Sequence, residues 1–173
     1  LEDFGAGPDS SLEGFDPDSA VDASFDDSLT IDVEAITLRR IGLQVNSYWF
    51  GHGAAHGNYA ITYLHFLIEE GRALEASDIF DGNGWNEALA DLAFAELQRT
   101  IGAEEGALFV SSADDIRESV ADPAHWDFSD TGLILQFQPY EVTAYAYGAP
   151  TVTISWDDLG GYLAEDAVAK AYY

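Results

Sequence analysis

The sequence predicts an α+β fold: a mostly antiparallel sheet with one long helix and two or three short helices packed on it. Three observations point there. Apolar and polar residues alternate in successive runs before residue 70, as strands require. Apolar residues then recur at helical spacing from Trp85 to Ile101. The last third returns to short, aromatic-rich strands divided by turn residues.

Residues 1–27 hold acids, Gly, Pro and Ser and no basic residue, and read as an acidic loop or tail. The remaining 28–173 form the domain, divisible into two small lobes: a strand meander over 28–74, then helices and C-terminal strands over 75–173. Leu29, Ile31 and Val33 alternate with polar residues, predicting a half-buried first strand. The run IGLQVNSYWF places Ile41, Leu43, Val45, Ser47 and Trp49 on one face of a second. NYAITYLHFLIEE supplies a third, ending at the turn Glu70-Gly71.

Ser77-Asp78-Ile79-Phe80 reads as a short helical turn. In the long helix, Leu89, Leu92, Ala93, Leu97 and Ile101 repeat at helical spacing, and Gly102 stops it. Ser112 and Asp115 form a capping-box pattern for a second helix, which Pro123 ends. Strands at His125–Phe128 and Gly132–Gln138 flank the hairpin loop Ser129–Gly132, and Thr151–Ser155 adds another strand. Ser155 with Asp158 caps a short helix through about Leu163.

The net charge of −26 restricts the partners. Lys170 is the only lysine, so a phosphate-binding surface for nucleic acid cannot be assembled, and anionic lipid is disfavoured. A cationic partner would be attracted over long range; the same surface is equally that of a protein adapted to high salt. No run of about 18 apolar residues is present, so this chain does not insert in a membrane. There are no cysteines, hence neither disulfides nor thiolate metal sites.

Candidate chemistry is sparse. His52 and His56 stand four apart, the spacing of a metal chelate on a helix, but Gly51, Gly53 and Gly57 argue for a turn. They remain weak metal candidates, and no cofactor is implied. Nucleophile elbow, P-loop and zinc-protease motifs are absent, so an enzyme is not expected. Aromatic residues crowd the segment from Trp126 to Trp156, which suits either an aromatic core or a binding surface.

The order of these motifs resembles a known family. Gly53-Ala54-Ala55-His56-Gly57 comes first, then a strand into Glu70-Gly71-Arg72-Ala73-Leu74. Phe137-Gln138-Pro139-Tyr140-Glu141-Val142 and Tyr145-Ala146-Tyr147-Gly148 follow. Over residues 29–164 the chain resembles the RsiV-like family, a domain of unknown function. That domain forms the extracytoplasmic part of a lysozyme-sensing anti-sigma factor and also occurs in a peptidoglycan deacetylase. The resemblance implies an exported, periplasmic or otherwise extracytoplasmic domain of the cell envelope, anchored through a segment outside this chain. It implies a receptor-like role, with a basic, lysozyme-like protein or peptidoglycan as partner. Pro139, Tyr140, Glu141, Tyr145 and Tyr147 are then the positions expected to bind.

Overall fold

The computed structural model describes residues 25–51 and 53–173; the acidic segment before Phe25, and His52, lie outside the described residues. Strands β1 (Phe25–Ile36), β2 (Arg40–Gly51), β3 (Asn58–Leu67) and the two-residue β4 (Arg72–Ala73) form a four-stranded antiparallel meander in chain order. Leu29 stands opposite Ser47, Ile31 opposite Val45 and Val33 opposite Leu43, with a register irregularity between Val33 and Ala35.

Two expectations change here. The first strand begins at Phe25 rather than after residue 27. Its apolar residues are not half-buried: Leu29, Ile31 and Val33 are 65%, 56% and 60% exposed. Alternation assigned them correctly to one face, but among the described residues no element covers that face.

The long helix α1 (Trp85–Thr100) buries Leu89, Ala90, Ala93 and Leu97, and Gly102 N–H closes its end on the Leu97 carbonyl at 3.0 Å. A single 3₁₀ turn over Ala113–Ile116 carries the expected reciprocal Ser112–Asp115 cap and runs into α2 (Arg117–Ala121), which stops before Pro123. Strands β5 (Trp126–Phe128), β6 (Gly132–Gln136) and β7 (Thr151–Ser155) make a second antiparallel sheet. Helix α3 (Trp156–Leu159) is capped by Ser155 as expected, but ends at Gly160 instead of reaching Leu163. The last helix, α4 (Ala167–Ala171), has too few periodic residues for the sequence to announce it.

Leu67 and Leu74 of the meander pack in one apolar cluster with Leu89, Leu97, Trp126, Leu133 and Phe137. A buried polar chain ties the same parts together. The Arg40 guanidinium lies 5.0 Å from the Phe128 ring centroid; its Nε donates to the Ala171 carbonyl at 2.8 Å and its Nη1 to His65 Nδ1 at 2.7 Å. Since Nδ1 accepts, His65 Nε2–H donates to the Trp126 carbonyl at 2.7 Å. Burial, reinforced by Arg40, lowers the His65 pKa to about 4, the carbonyl bond notwithstanding, so the ring is neutral.

Asp78 anchors the other end of the body. Its carboxylate takes both arms of Arg72, at 2.7 and 2.8 Å, the Glu75 N–H at 2.9 Å and Lys170 Nζ at 3.2 Å. The Arg72 bonds above all hold its pKa down, to about 2. Lys170 thereby fastens α4 to the 3₁₀ turn Ala76–Asp78.

Candidate functional site

The chain reverses between β2 and β3 beside a loop that follows β6. Gln138-Pro139-Tyr140-Glu141 is a β-turn closed by Glu141 N–H donating to the Gln138 carbonyl at 3.1 Å. Pro139 sits at the second position, where its fixed φ suits the turn. Tyr140 occupies the third with φ 69°, a left-handed conformation usually reserved for Gly or Asn. Glu141 closes the frame by turning its carboxylate inward, accepting from Gln138 N–H at 2.6 Å.

The Gln138 side chain docks this turn on the meander. Its amide accepts from Ile61 N–H at 2.9 Å and donates to the Ile61 carbonyl at 2.6 Å, as a neighbouring strand residue would. The Tyr140 ring is thus brought to His56, whose Nε2 lies 2.9 Å from the Tyr140 hydroxyl. His56 Nδ1 donates to the Gly57 carbonyl at 2.9 Å, and in that tautomer Nε2 accepts from Tyr140. Tyr145 donates to the same Gly57 carbonyl at 2.8 Å and stacks on His56 with centroids 4.1 Å apart.

Tyr140 and Tyr59 complete the group, 5.3 and 6.0 Å from the Tyr145 centroid. Crowding by these rings removes water from the Tyr145 phenol and raises its pKa, with the neighbouring tyrosines adding to the effect. Gly57 lies under the Tyr48 ring, and a Cβ there would collide with that ring and displace it. The outcome is a surface of stacked rings, with His56 exposed and Tyr140 49% exposed, edged by hydroxyls.

Of the residues the sequence singled out, the structure brings Pro139, Tyr140, Glu141 and Tyr145 together, with Glu141 serving the turn. Tyr147 stands apart; its hydroxyl donates to Glu104 at 2.6 Å beyond the end of α1. The local reading of His56 as only a bend missed its place in the ring cluster, and it also missed Tyr48, Tyr59 and Gln138. No spacing rule links residues so far apart in the chain, although the Gln-Pro-Tyr-Glu frame was itself a visible turn signal. As for metal, both His56 nitrogens are engaged, and among the described residues no three His, Asp or Glu side chains converge.

The cations of the chain are committed elsewhere. Arg39 pairs with Asp166, Arg72 and Lys170 with Asp78, Arg99 with Glu96, and Arg117 with Glu87 and Asp114, while Arg40 lies in the core. The ring surface offers π-faces and hydroxyls in a chain of net charge −26.

Comparison with solved structures shows proteins of similar fold. The chain superimposes on a DUF3298-family protein from Bacteroides fragilis with a TM-score of 0.68 at 20% identity, covering 86% of this chain and 58% of that one. A DUF3298-family protein from Pseudomonas aeruginosa PAO1 gives a TM-score of 0.60 at 19% identity, over 83% of this chain and 64% of that one. The chain thus spans less than two thirds of either. Residues 77–157, from the 3₁₀ turn at Asp78 through β7, match the family model described as "Protein of unknown function (DUF3298)". No curated protein matches the chain.

Proposed function

We propose that the chain is a non-catalytic binding domain of the cell envelope, whose ligand closes on the His56–Tyr140–Tyr145 surface. The observation that carries this is the strained Tyr140: a left-handed tyrosine costs about 1–2 kcal/mol, and here it presents a half-exposed ring. The preferred ligand is a cationic, lysozyme-like protein. The net charge of −26 favours it, as does the resemblance of residues 29–164 to RsiV-like receptor domains. That resemblance also supports an extracytoplasmic location and an anti-sigma-factor-like setting. Calorimetric titration with a basic lysozyme at low ionic strength tests the reading. Saturable heat that disappears in Tyr140→Ala is the expected result, and no heat at low salt refutes it.

A second reading, contact with peptidoglycan, rests on the stacked and exposed rings themselves, which suit sugar faces. Sedimentation with purified sacculi separates the two, because glycan binding persists at salt concentrations that abolish binding of a basic protein.

A further inference from the structure

The meander has two faces with opposite fates. On one, Gly42, Tyr63, His65 and Leu67 are buried against the rest of the chain, and the ring cluster grows from the end of that same side. The other face is apolar and, among the described residues, uncovered. Leu29, Ile31 and Val33 of β1 continue across Val45 and Leu43 to Leu64, and Leu64 is itself half exposed. A solvated face of an antiparallel sheet is ordinarily polar, and a contiguous apolar patch on such a face marks an interaction site.

One end of this face is chemically distinct. Asp27, Trp49 and Asn58 form a cross-strand row, and the next row inward carries the small residues Ser47 and Ala60. The Trp49 indole leans over Gly51, where a Cβ would lie 3.2 Å from the ring. Between Trp49 and Leu29 this leaves an open hollow of about 400 Å³. Asp27 is the charged group of that row. A carboxylate beside a half-exposed indole is a seat for a Lys or Arg head group, through ion pairing and cation–π attraction.

We infer that this face docks a basic amphipathic helix of a partner polypeptide, its apolar stripe on Ile31, Val33, Leu43 and Leu64 and one cationic side chain in the Asp27–Trp49 hollow. Charge selects this occupant. A second copy would bring another net −26 against the first, and pairing along the β1 edge would bring two copies of a strand with four acids and no basic residue together. Among the described residues, anionic lipid finds no cation on the face. Length agrees as well: from Ile41 to Trp49 the face runs about 27 Å, the length of a helix of roughly 18 residues.

The test uses a labelled 18-residue helical peptide of Leu, Lys and Ala with Leu at helical i, i+3, i+4 spacing. Its Glu-for-Lys counterpart and a scrambled Lys peptide of equal composition serve as controls. Anisotropy should show binding of the first peptide alone, with a shift in Trp49 emission that Trp49→Phe removes. Affinity should fall at least tenfold in Leu64→Asp and in Ile31→Asp, and about threefold in Asp27→Asn. Ile31 lies on an edge strand, so its variant folds even where Leu64→Asp does not; near-ultraviolet circular dichroism verifies this. Tyr140→Ala should bind the peptide like the parent, which separates this face from the ring surface. Equal binding of the scrambled peptide, or indifference to both Asp variants, overturns the inference. So does sedimentation showing a dimer that Ile31→Asp dissociates, or photo-cross-linking from a benzophenone at position 64 into residues 1–24.

Discussion

His56 Nε2 and the Tyr140 hydroxyl meet at 2.9 Å although 84 residues of chain separate them. The contact joins the β2–β3 reversal to the turn after β6, and it depends on Tyr140 keeping a conformation that glycine would adopt freely. Strain and exposure thus coincide at one residue, which makes its fold and binding roles separable.

Tyr140→Gly should therefore leave stability nearly unchanged. Relief of about 1 kcal/mol of left-handed strain offsets the lost ring contacts, so Tm stays within a few degrees of the parent. Binding of the cationic ligand, measured by calorimetry, should be lost in the same variant. A protein that melts far lower would mean that Tyr140 is mainly a structural residue.

Tyr145→Phe keeps the stack on His56 but removes the bond to the Gly57 carbonyl. The expected cost is about 1 kcal/mol, seen as a Tm lower by about 2–4 °C. The amide protons of the turn around Gly57 should exchange faster with solvent.

His65 predicts a pH dependence. Above about pH 6.5 its ring is neutral in both the folded and the unfolded chain. As pH falls the unfolded chain takes up the proton first, because the folded pKa is held at about 4. Stability should drop by about 3 kcal/mol between these limits and then level off. His65→Gln can accept from Arg40 and donate to Trp126 without titrating, and should flatten this part of the urea-unfolding profile.

Asp78 governs a lower window. Its folded pKa is depressed, so its contribution is complete above the ordinary carboxylate value of 3.8 and is lost as pH falls through about 2. With half-exposed Arg72 screened by water, the loss should be about 1 kcal/mol. Asp78→Asn removes this low-pH phase and, at neutral pH, loosens α4 by leaving Lys170 only its longer 3.9 Å pairing with Glu70. Limited proteolysis in that helix reports the second effect.

The elements that sequence periodicity revealed are those whose stabilisation is local. Leu89, Ala93 and Leu97 lie on one helical stripe, and the Ser112 and Ser155 caps act within three residues, so their spacing states their role. The alternation of Leu29, Ile31 and Val33 gave the face but not its burial, because periodicity carries no information about what lies opposite. His56 and Tyr140 were each visible as residues, while their meeting depends on Gln138 finding Ile61, a contact between the loop after β6 and strand β3. The pairing of Trp49 with Asp27 escaped notice for a related reason: only the β1–β2 register aligns them.

Gln138 has a final consequence. Its amide stitches the turn of the C-terminal half to β3 through two hydrogen bonds to one residue, so the ring surface exists only while the two halves are joined. A molecule gripping His56 and Tyr140 together would act as a clamp across that seam. Its occupancy would be read out as resistance to unfolding, rising by about 2.7 kcal/mol at a ligand concentration one hundred times Kd. The domain would then convert the presence of a ligand into mechanical and proteolytic persistence, with no moving part beyond the seam itself.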